Sequence, residues 1–100
     1  MSLSPERLHR RRLLAHQRGV VRTWANDYIR WYCSKSMFKQ ARECEIITNR
    51  LAGGLEVVMR YKAGDAIVAM TFKRFCDVLL ENGLFTKSEH TRALNPNLGA

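Results

Sequence analysis

Long apolar runs are absent from this sequence. The longest, Ala66 to Met70, is far shorter than the roughly 20 residues that span a bilayer, so no transmembrane segment is predicted. Near the N-terminus, the basic stretch Arg10 to Arg12 is followed by only three apolar residues before His16, too few for the core of a signal peptide. We therefore expect a cytoplasmic protein, or a nuclear one if the source is eukaryotic.

Cysteine pairs and catalytic motifs are also absent. The three cysteines, Cys33, Cys44 and Cys76, form no CxxC pair, and no histidine lies near them at metal-ligand spacing. We expect reduced structural thiols, with no metal and no cofactor. The chain also lacks the glycine-rich phosphate loop, the dinucleotide-binding glycine pattern, the HExxH helix, the GxSxG elbow and the EF-hand pattern. These absences predict that the protein is not an enzyme.

Acidic residues are scarce. The 100-residue chain has 9 Asp and Glu against 17 Lys and Arg, which gives a formal net charge of +8. More than half of the excess lies in residues 1–32, where seven Arg accompany only Glu6 and Asp27. Arg presents a planar set of donors that suits phosphate or carboxylate groups. Because a chain of this length supports one modest core, the composition favours a single domain with an anionic partner.

A long N-terminal helix is predicted. Ser4 is a typical N-cap, Pro5 fits the first helical position, and helical periodicity continues to about Cys33. We interpret the aromatic residues of this helix as core rather than as a platform for stacking bases. At 100° per residue, eight apolar side chains fall within an arc of about 120°: Leu13, Leu14, Val20, Val21, Trp24, Tyr28, Trp31 and Tyr32.

Four arginines follow one side of this helix. They are spaced i, i+4, i+11 and i+15 and project onto a strip of about 60° beside the apolar arc: Arg7, Arg11, Arg18 and Arg22. Like charges four residues apart repel, so the strip weakens the helix unless an anion accompanies it. Two interpretations remain open. Either the strip faces an anion, or it is a solvated flank whose first part, residues 1–12, forms a mobile basic arm.

A second helix is predicted from about Ser36 to Ala52, where Gly53 and Gly54 would end it. Five apolar residues recur there at helical spacing: Met37, Ala41, Cys44, Ile47 and Leu51. Only a short turn separates this segment from the first helix. We therefore expect the two helices to pack antiparallel through their apolar stripes.

A β-hairpin is predicted next. Leu55–Lys62 and Ala66–Phe72 are rich in β-branched and aromatic residues and enclose a loop that contains Gly64. Arg60 and Lys62 on this hairpin are candidates for secondary basic contacts, as on a wing that touches a nucleic-acid backbone. If Lys62 pairs with Ala66, one face combines side chains of both strands: Val57, Met59, Tyr61, Ile67, Ala69 and Thr71.

Two shorter helices complete the chain. Thr71 is the expected N-cap of a helix to about Asn82, and Thr86-Lys87-Ser88-Glu89 is a capping box that begins a short helix through about Leu94. Residues 95–100 are expected to be a frayed tail. The predicted class is α+β and helix-dominated, with two antiparallel N-terminal helices, a β-hairpin, one helix and a short C-terminal helix.

Two classes of function fit these patterns. The first is a nucleic-acid-binding regulatory or accessory protein, with DNA and RNA both open, that binds phosphates through six arginines: Arg7, Arg10, Arg11, Arg12, Arg18 and Arg22. The alternative is a protein-interaction module that docks on an acidic surface of a larger protein and inhibits or recruits it. Its first helix would then use four apolar anchors: Leu13, Leu14, Val20 and Val21. The oligomeric state stays open, and a homodimer is compatible with an exposed hairpin edge.

Overall fold

The computed structural model describes residues 4–35 and 40–97. The elements follow one another as helix α1 (Pro5–Ser34), a 3₁₀ turn (Ala41–Glu43), strands β1 (Cys44–Leu51), β2 (Gly54–Tyr61) and β3 (Ala66–Thr71), and helices α2 (Phe72–Glu81) and α3 (Lys87–Leu94). They form an α+β fold in which α1 and α2 pack on an antiparallel sheet and α3 packs on these two helices.

Helix α1 confirms the predicted N-terminal helix. The side-chain hydroxyl of Ser4 accepts a hydrogen bond from the backbone N–H of Arg7 at 3.3 Å, and Pro5 occupies the first turn. Tyr28 is buried and contacts the Phe75 ring of α2 at a centroid distance of 5.1 Å, while Trp24 meets Phe85 edge-on at 4.8 Å. The aromatic arc of α1 therefore packs into the core, as expected.

The predicted second helix is wrong. Its first residues, 36–39, lie outside the described part of the chain, and the remainder forms the 3₁₀ turn and strand β1. The apolar spacing that fits a helix also contains the β-branched run Ile46-Ile47-Thr48, which fits a strand. Gly53 and Gly54 do not stop a helix. They connect β1 to β2, and Gly54 has a φ of 127°, a backbone conformation that favours glycine.

The two predicted hairpin strands correspond to β2 and β3, and β1 adds a third strand on the other side of β2, so the sheet order is β1-β2-β3. The expected register between β2 and β3 is also wrong. Ala66 pairs with Arg60 rather than with Lys62, and an irregularity follows between Met59 and Arg60. The extra residue, Ile67, shifts the remaining pairs by one position, which changes the face that each β3 side chain occupies.

The face of the sheet that the helices cover carries the core. Leu55, Val57 and Met59 of β2 are buried there, flanked by Ile46 of β1 and by Val68 and Met70 of β3. The opposite face is mostly polar, but one row of three directly paired residues crosses it: Ile47, Val58 and Ala69. Helix α1 packs against β1 and β2, whereas α2 packs against β2 and β3.

Helices α2 and α3 confirm the last two predictions. Thr71 caps α2 through a 3.1 Å hydrogen bond from the N–H of Arg74, and Gly83 follows α2 with a φ of 74°. The capping box at the start of α3 is complete, because Thr86 and Glu89 bond each other's backbone N–H at 3.1 and 2.9 Å. Of the predicted tail, Asn95–Asn97 follow α3 without regular structure and residues 98–100 lie outside the described chain.

Candidate nucleic-acid interface

The four strip arginines lie on one continuous helix. Arg7, Arg11, Arg18 and Arg22 all belong to α1, and all four side chains are exposed. From the first to the last, the strip extends about 22 Å along the helix axis at the α-helical rise. A continuous helix holds these positions in a fixed line, which a flexible arm would not do.

The strip occupies the side of α1 that faces away from α3. On the α3 side, Nε2 of His16 donates to the carbonyl oxygen of Ala93 at 3.1 Å. Farther along α1, Ile29 lies about five turns beyond Arg11 and therefore on the same side of the helix, but it is buried, because α1 packs there against the 3₁₀ turn and β1. The exposed basic strip thus ends after Arg22.

One arginine that sequence reasoning missed lies beside the strip. Arg50 of β1 pairs with Leu55, so it is on the helix-covered side of the edge strand, and its side chain is exposed. β1 runs antiparallel to α1, since Arg10 near the start of α1 bonds Ala52 just after the end of β1. At rises of about 3.4 and 1.5 Å per residue, Arg50 lies about level with the segment between Arg11 and Arg18.

We call the strip arginines together with Arg50 the basic flank. The signal for Arg50 was present in the alternation of β1, but it was lost when this segment was assigned to a helix. A strand and a helix that lie side by side can combine charges that are distant in sequence, and local periodicity does not reveal such a combination.

The remaining sequence candidates are placed differently. Arg10 donates from its guanidinium to the carbonyl oxygen of Ala52 at 3.1 Å, so it fixes the β1–β2 turn to α1. Arg12 is exposed but points about 100° away from the strip. These two residues adjoin the basic flank without belonging to it.

Arg60 and Lys62 lie away from the basic flank. Nε and Nη2 of Arg60 each lie 3.0 Å from Oε1 of Glu45, on the face of the sheet opposite the helices. Lys62 is exposed in the turn after β2, where its N–H bonds the carbonyl oxygen of Glu43. That contact is at the start of β1, whereas Arg10 is at its end, so roughly 27 Å of strand separates the two places.

The basic flank keeps its charge unpaired. Within residues 4–35 and 40–97, none of its five arginines forms an ion pair, whereas cations elsewhere do: Arg30 with Asp27, Arg60 with Glu45, Lys73 with Asp77 and Arg74 with Glu81. An unpaired guanidinium is available for an external anion. The flank is therefore the part of the described molecule where several free arginines coincide on one rigid surface.

A groove of about 810 Å³ lies beside the first half of α1. Its walls come from the first half of α1, the β1–β2 turn, the junction of β3 and α2, and the end of α3. Leu13, Leu55 and Met70 contribute apolar surface, Arg10 and Lys73 contribute cations, and Leu51 at 50% exposure is among the lining residues.

The apolar anchors proposed for helix docking are wrong in part. Leu14 and Val21 are buried in the core of the protein itself, and Val20 packs against that core. A partner would have to unfold the domain to reach Leu14 and Val21. The buried arc of α1 is therefore not a surface on which a partner of the folded domain can dock.

Buried titratable groups are structural. The pKa of the Cys76 thiol is raised to about 12, mainly by burial and to a smaller extent by the neighbouring Asp77 carboxylate. Burial also raises the pKa of Tyr28 to about 12. Over residues 4–35 and 40–97, no group of three His, Cys, Asp or Glu is arranged to hold a metal ion, and no helix is long and apolar enough to cross a membrane.

Comparisons of this chain with protein-family models, with curated proteins and with solved structures find no match. Function must therefore be argued from the surface itself.

Proposed function

We propose that this protein binds nucleic acid through contacts from the basic flank to phosphates. The observation that supports the proposal is the coincidence of five exposed, unpaired arginines on one side of a rigid helix and its neighbouring strand. Duplex DNA carries about one negative charge per 1.7 Å of axis, so a flank about 22 Å long meets several phosphates at once. The role that fits is regulatory or accessory.

Binding would be driven by release of counterions. Each arginine that neutralises a phosphate releases condensed cations, so four contacts to duplex DNA give a slope of log K against log salt of about −3.6. A fifth contact from Arg50 would bring the slope to about −4.5. Contacts of this type position a protein on the backbone and do not read bases, and we therefore propose binding that is independent of sequence.

The test is a salt titration with two matched double variants. Arg11→Glu with Arg18→Glu reverses two charges on the flank, and Arg42→Glu with Lys87→Glu reverses two exposed, unpaired charges elsewhere. Both variants lower the formal charge from +8 to +4, because each reversal removes two charges. We expect the flank variant to lose most of its affinity for a short labelled duplex, measured by fluorescence anisotropy, and the control variant to keep the wild-type salt slope.

Three results would contradict the proposal. Wild-type protein that forms no complex with DNA or single-stranded RNA at low salt would reject it. Equal losses in both variants would mean that net charge, rather than the flank, attracts the polymer. Binding of polyglutamate as tight as binding of DNA would indicate an acidic protein surface instead.

The groove favours a second candidate function, interaction with an acidic protein. Arg10 lies at the groove and also next to the basic flank, so a partner with apolar side chains in the groove would bring its carboxylates to these arginines. Such a partner would be inhibited or recruited by the bound domain. Interaction with an acidic protein would be favoured over nucleic-acid binding if polyglutamate competes with DNA and binds the wild-type protein more tightly.

A further inference from the structure

Strand β3 forms one edge of the sheet. It pairs with β2 on one side, and among the described residues no strand pairs with its other side. An edge strand presents unpaired backbone N–H and C=O groups, which form a template for another strand. Natural proteins protect such edges with charged residues, proline, short strands or β-bulges.

This edge has one irregularity, at Ile67 near its start, and Val68–Thr71 pair regularly with β2. The sequence of β3, Ala66-Ile67-Val68-Ala69-Met70-Thr71, contains no charged residue and no proline. All of its residues are exposed or only partly buried, including Ile67, Val68 and Met70. The opposite edge, β1, carries Glu45 and Arg50. The two edges therefore differ in how well they exclude a further strand.

We propose that β3 pairs with β3 of a second copy of this chain, so that a two-fold symmetric dimer forms with a continuous six-stranded antiparallel sheet. The occupant is a second copy because an antiparallel pair of identical strands is self-complementary about a two-fold axis. Pairing through β1 would instead bring two basic flanks together, which like-charge repulsion opposes.

The faces of β3 restrict the register of this dimer. Val68 and Met70 lie on the helix-covered face, since they pair with Met59 and Val57, whereas Ala69 pairs with Val58 on the opposite face. Residues of one face must meet residues of the same face, and registers centred on Val68, Ala69 or Met70 all satisfy this condition. In the dimer that we propose the axis is at Ala69, so that Val68 meets Met70 of the second copy and Ala69 lies opposite its own counterpart. Alanine is small enough for the two strands to approach closely at that point.

The helix next to this edge is compatible with the pairing. α2 packs on β2 and β3, and its exposed side carries Lys73 and Arg74 together with Asp77 and Glu81. Two cations are thus balanced by two acids within each copy. Bringing two such helices near each other across the axis builds up no excess of one charge.

The consequence is a molecule with two basic flanks on the same side of one sheet. The two β1 strands would be the outer edges, separated by five strand spacings or roughly 24 Å. Two linked binding surfaces raise the effective concentration of the second contact on a long polyanion. The dimer itself does not depend on nucleic-acid binding, and its test uses a different measurement.

The test places charged residues at the two-fold axis and measures the molar mass by light scattering after gel filtration. Wild-type protein is expected to have twice the chain mass of 11.6 kDa. Ala69→Lys and Ala69→Glu each place two like charges face to face, so each variant alone is expected to be monomeric. An equal mixture of the two variants should form the dimer again, because Lys then faces Glu.

The matched control is Asn49→Lys, which adds the same charge at an exposed position on the same face of β1. It should leave the mass of the dimer unchanged. A wild-type chain that stays monomeric up to about 1 mM, where association worth about 4 kcal/mol would be visible, overturns the proposal. A dimer that survives in Ala69→Lys with native circular dichroism, or that Asn49→Lys dissociates instead, also overturns it.

Discussion

At the scale of single residues, the carboxylate of Asp77 joins two elements of the fold. Its two carboxylate oxygens accept hydrogen bonds from Nζ of Lys73 at 2.6 Å and from Nε2 of His90 at 2.7 Å. Lys73 is on the same helix, whereas His90 belongs to α3, so the carboxylate links the two C-terminal helices. The hydrogen bond from Lys73, followed by that from His90, lowers the pKa of Asp77 below its ordinary value of 3.8.

We predict that Asp77→Asn destabilises the protein by about 1 kcal/mol near neutral pH, because the amide keeps the shape but loses the charge-assisted bonds. A carboxyl whose pKa is lowered by folding stabilises the folded state above its unfolded pKa. That stabilisation is lost as the pH falls below about 3.8 toward the folded value. Urea unfolding at near-neutral pH and near pH 3 should therefore show a gap between variant and wild type that closes in acid.

Glu81→Gln is the control for this prediction. The pair of Glu81 with Arg74 is 56% exposed on both sides, and exposed pairs contribute little. Equal stability of wild type and Asp77→Asn near neutral pH, or a gap that persists in acid, would contradict the role assigned to Asp77.

At the scale of elements, the turn between β1 and β2 depends on the backbone conformation of one glycine. Gly54 has a φ of 127°, and a β-carbon built there meets no atom within 4 Å. The only penalty for a side chain is therefore the backbone conformation, which costs non-glycine residues of order 1–3 kcal/mol. Gly53 is equally open but does not have a positive φ.

We predict that Gly54→Ala lowers the free energy of unfolding by about 1–2 kcal/mol, whereas Gly53→Ala changes it by less than about 0.5 kcal/mol. Chemical denaturation of both variants measures the difference. Similar effects of the two substitutions would mean that the turn does not require glycine at position 54.

Strand β1 also explains the main error of the sequence prediction, which placed a helix over these residues. Residues of β1 fit helical spacing as well as strand alternation, and glycine pairs end helices as well as connect strands. Residues 44–51 form a strand because one edge of β2 would otherwise have no partner. β1 pairs with that edge from Cys44↔Tyr61 to Leu51↔Gly54. A hairpin of two strands is marginal in water, so the third strand stabilises the sheet on which α1 packs.

At the scale of the whole molecule, α1 is nearly as long as the protein. Thirty residues of helix extend about 45 Å, against a longest dimension of 50 Å. From Ser4 to Arg12 every residue is exposed, and Leu14 is the first buried side chain. The first two turns of α1 therefore contribute charge rather than core.

We predict that a chain lacking residues 1–12 keeps its fold while losing two strip arginines, Arg7 and Arg11. Its circular dichroism per residue should remain helical and cooperative on heating. The slope of log K against log salt for duplex DNA should fall from about −4.5 to about −2.7, because three of the five flank arginines, Arg18, Arg22 and Arg50, remain. An unfolded truncated chain would show that these turns support the core, and an unchanged slope would exclude them from the binding surface.

Local patterns determined much of this protein by themselves. The caps at Ser4, Thr71 and Thr86 and the helical spacing of the strip arginines act within a few residues, so the sequence alone predicts α1, α2, α3 and the line of charge along α1. Strand pairing is different, because its energy comes from contacts with a partner strand that lies outside the segment itself. The tertiary structure alone decided that residues 44–51 form β1, that a one-residue shift turns Ala69 away from the helices, and that Arg50 joins the arginines of α1.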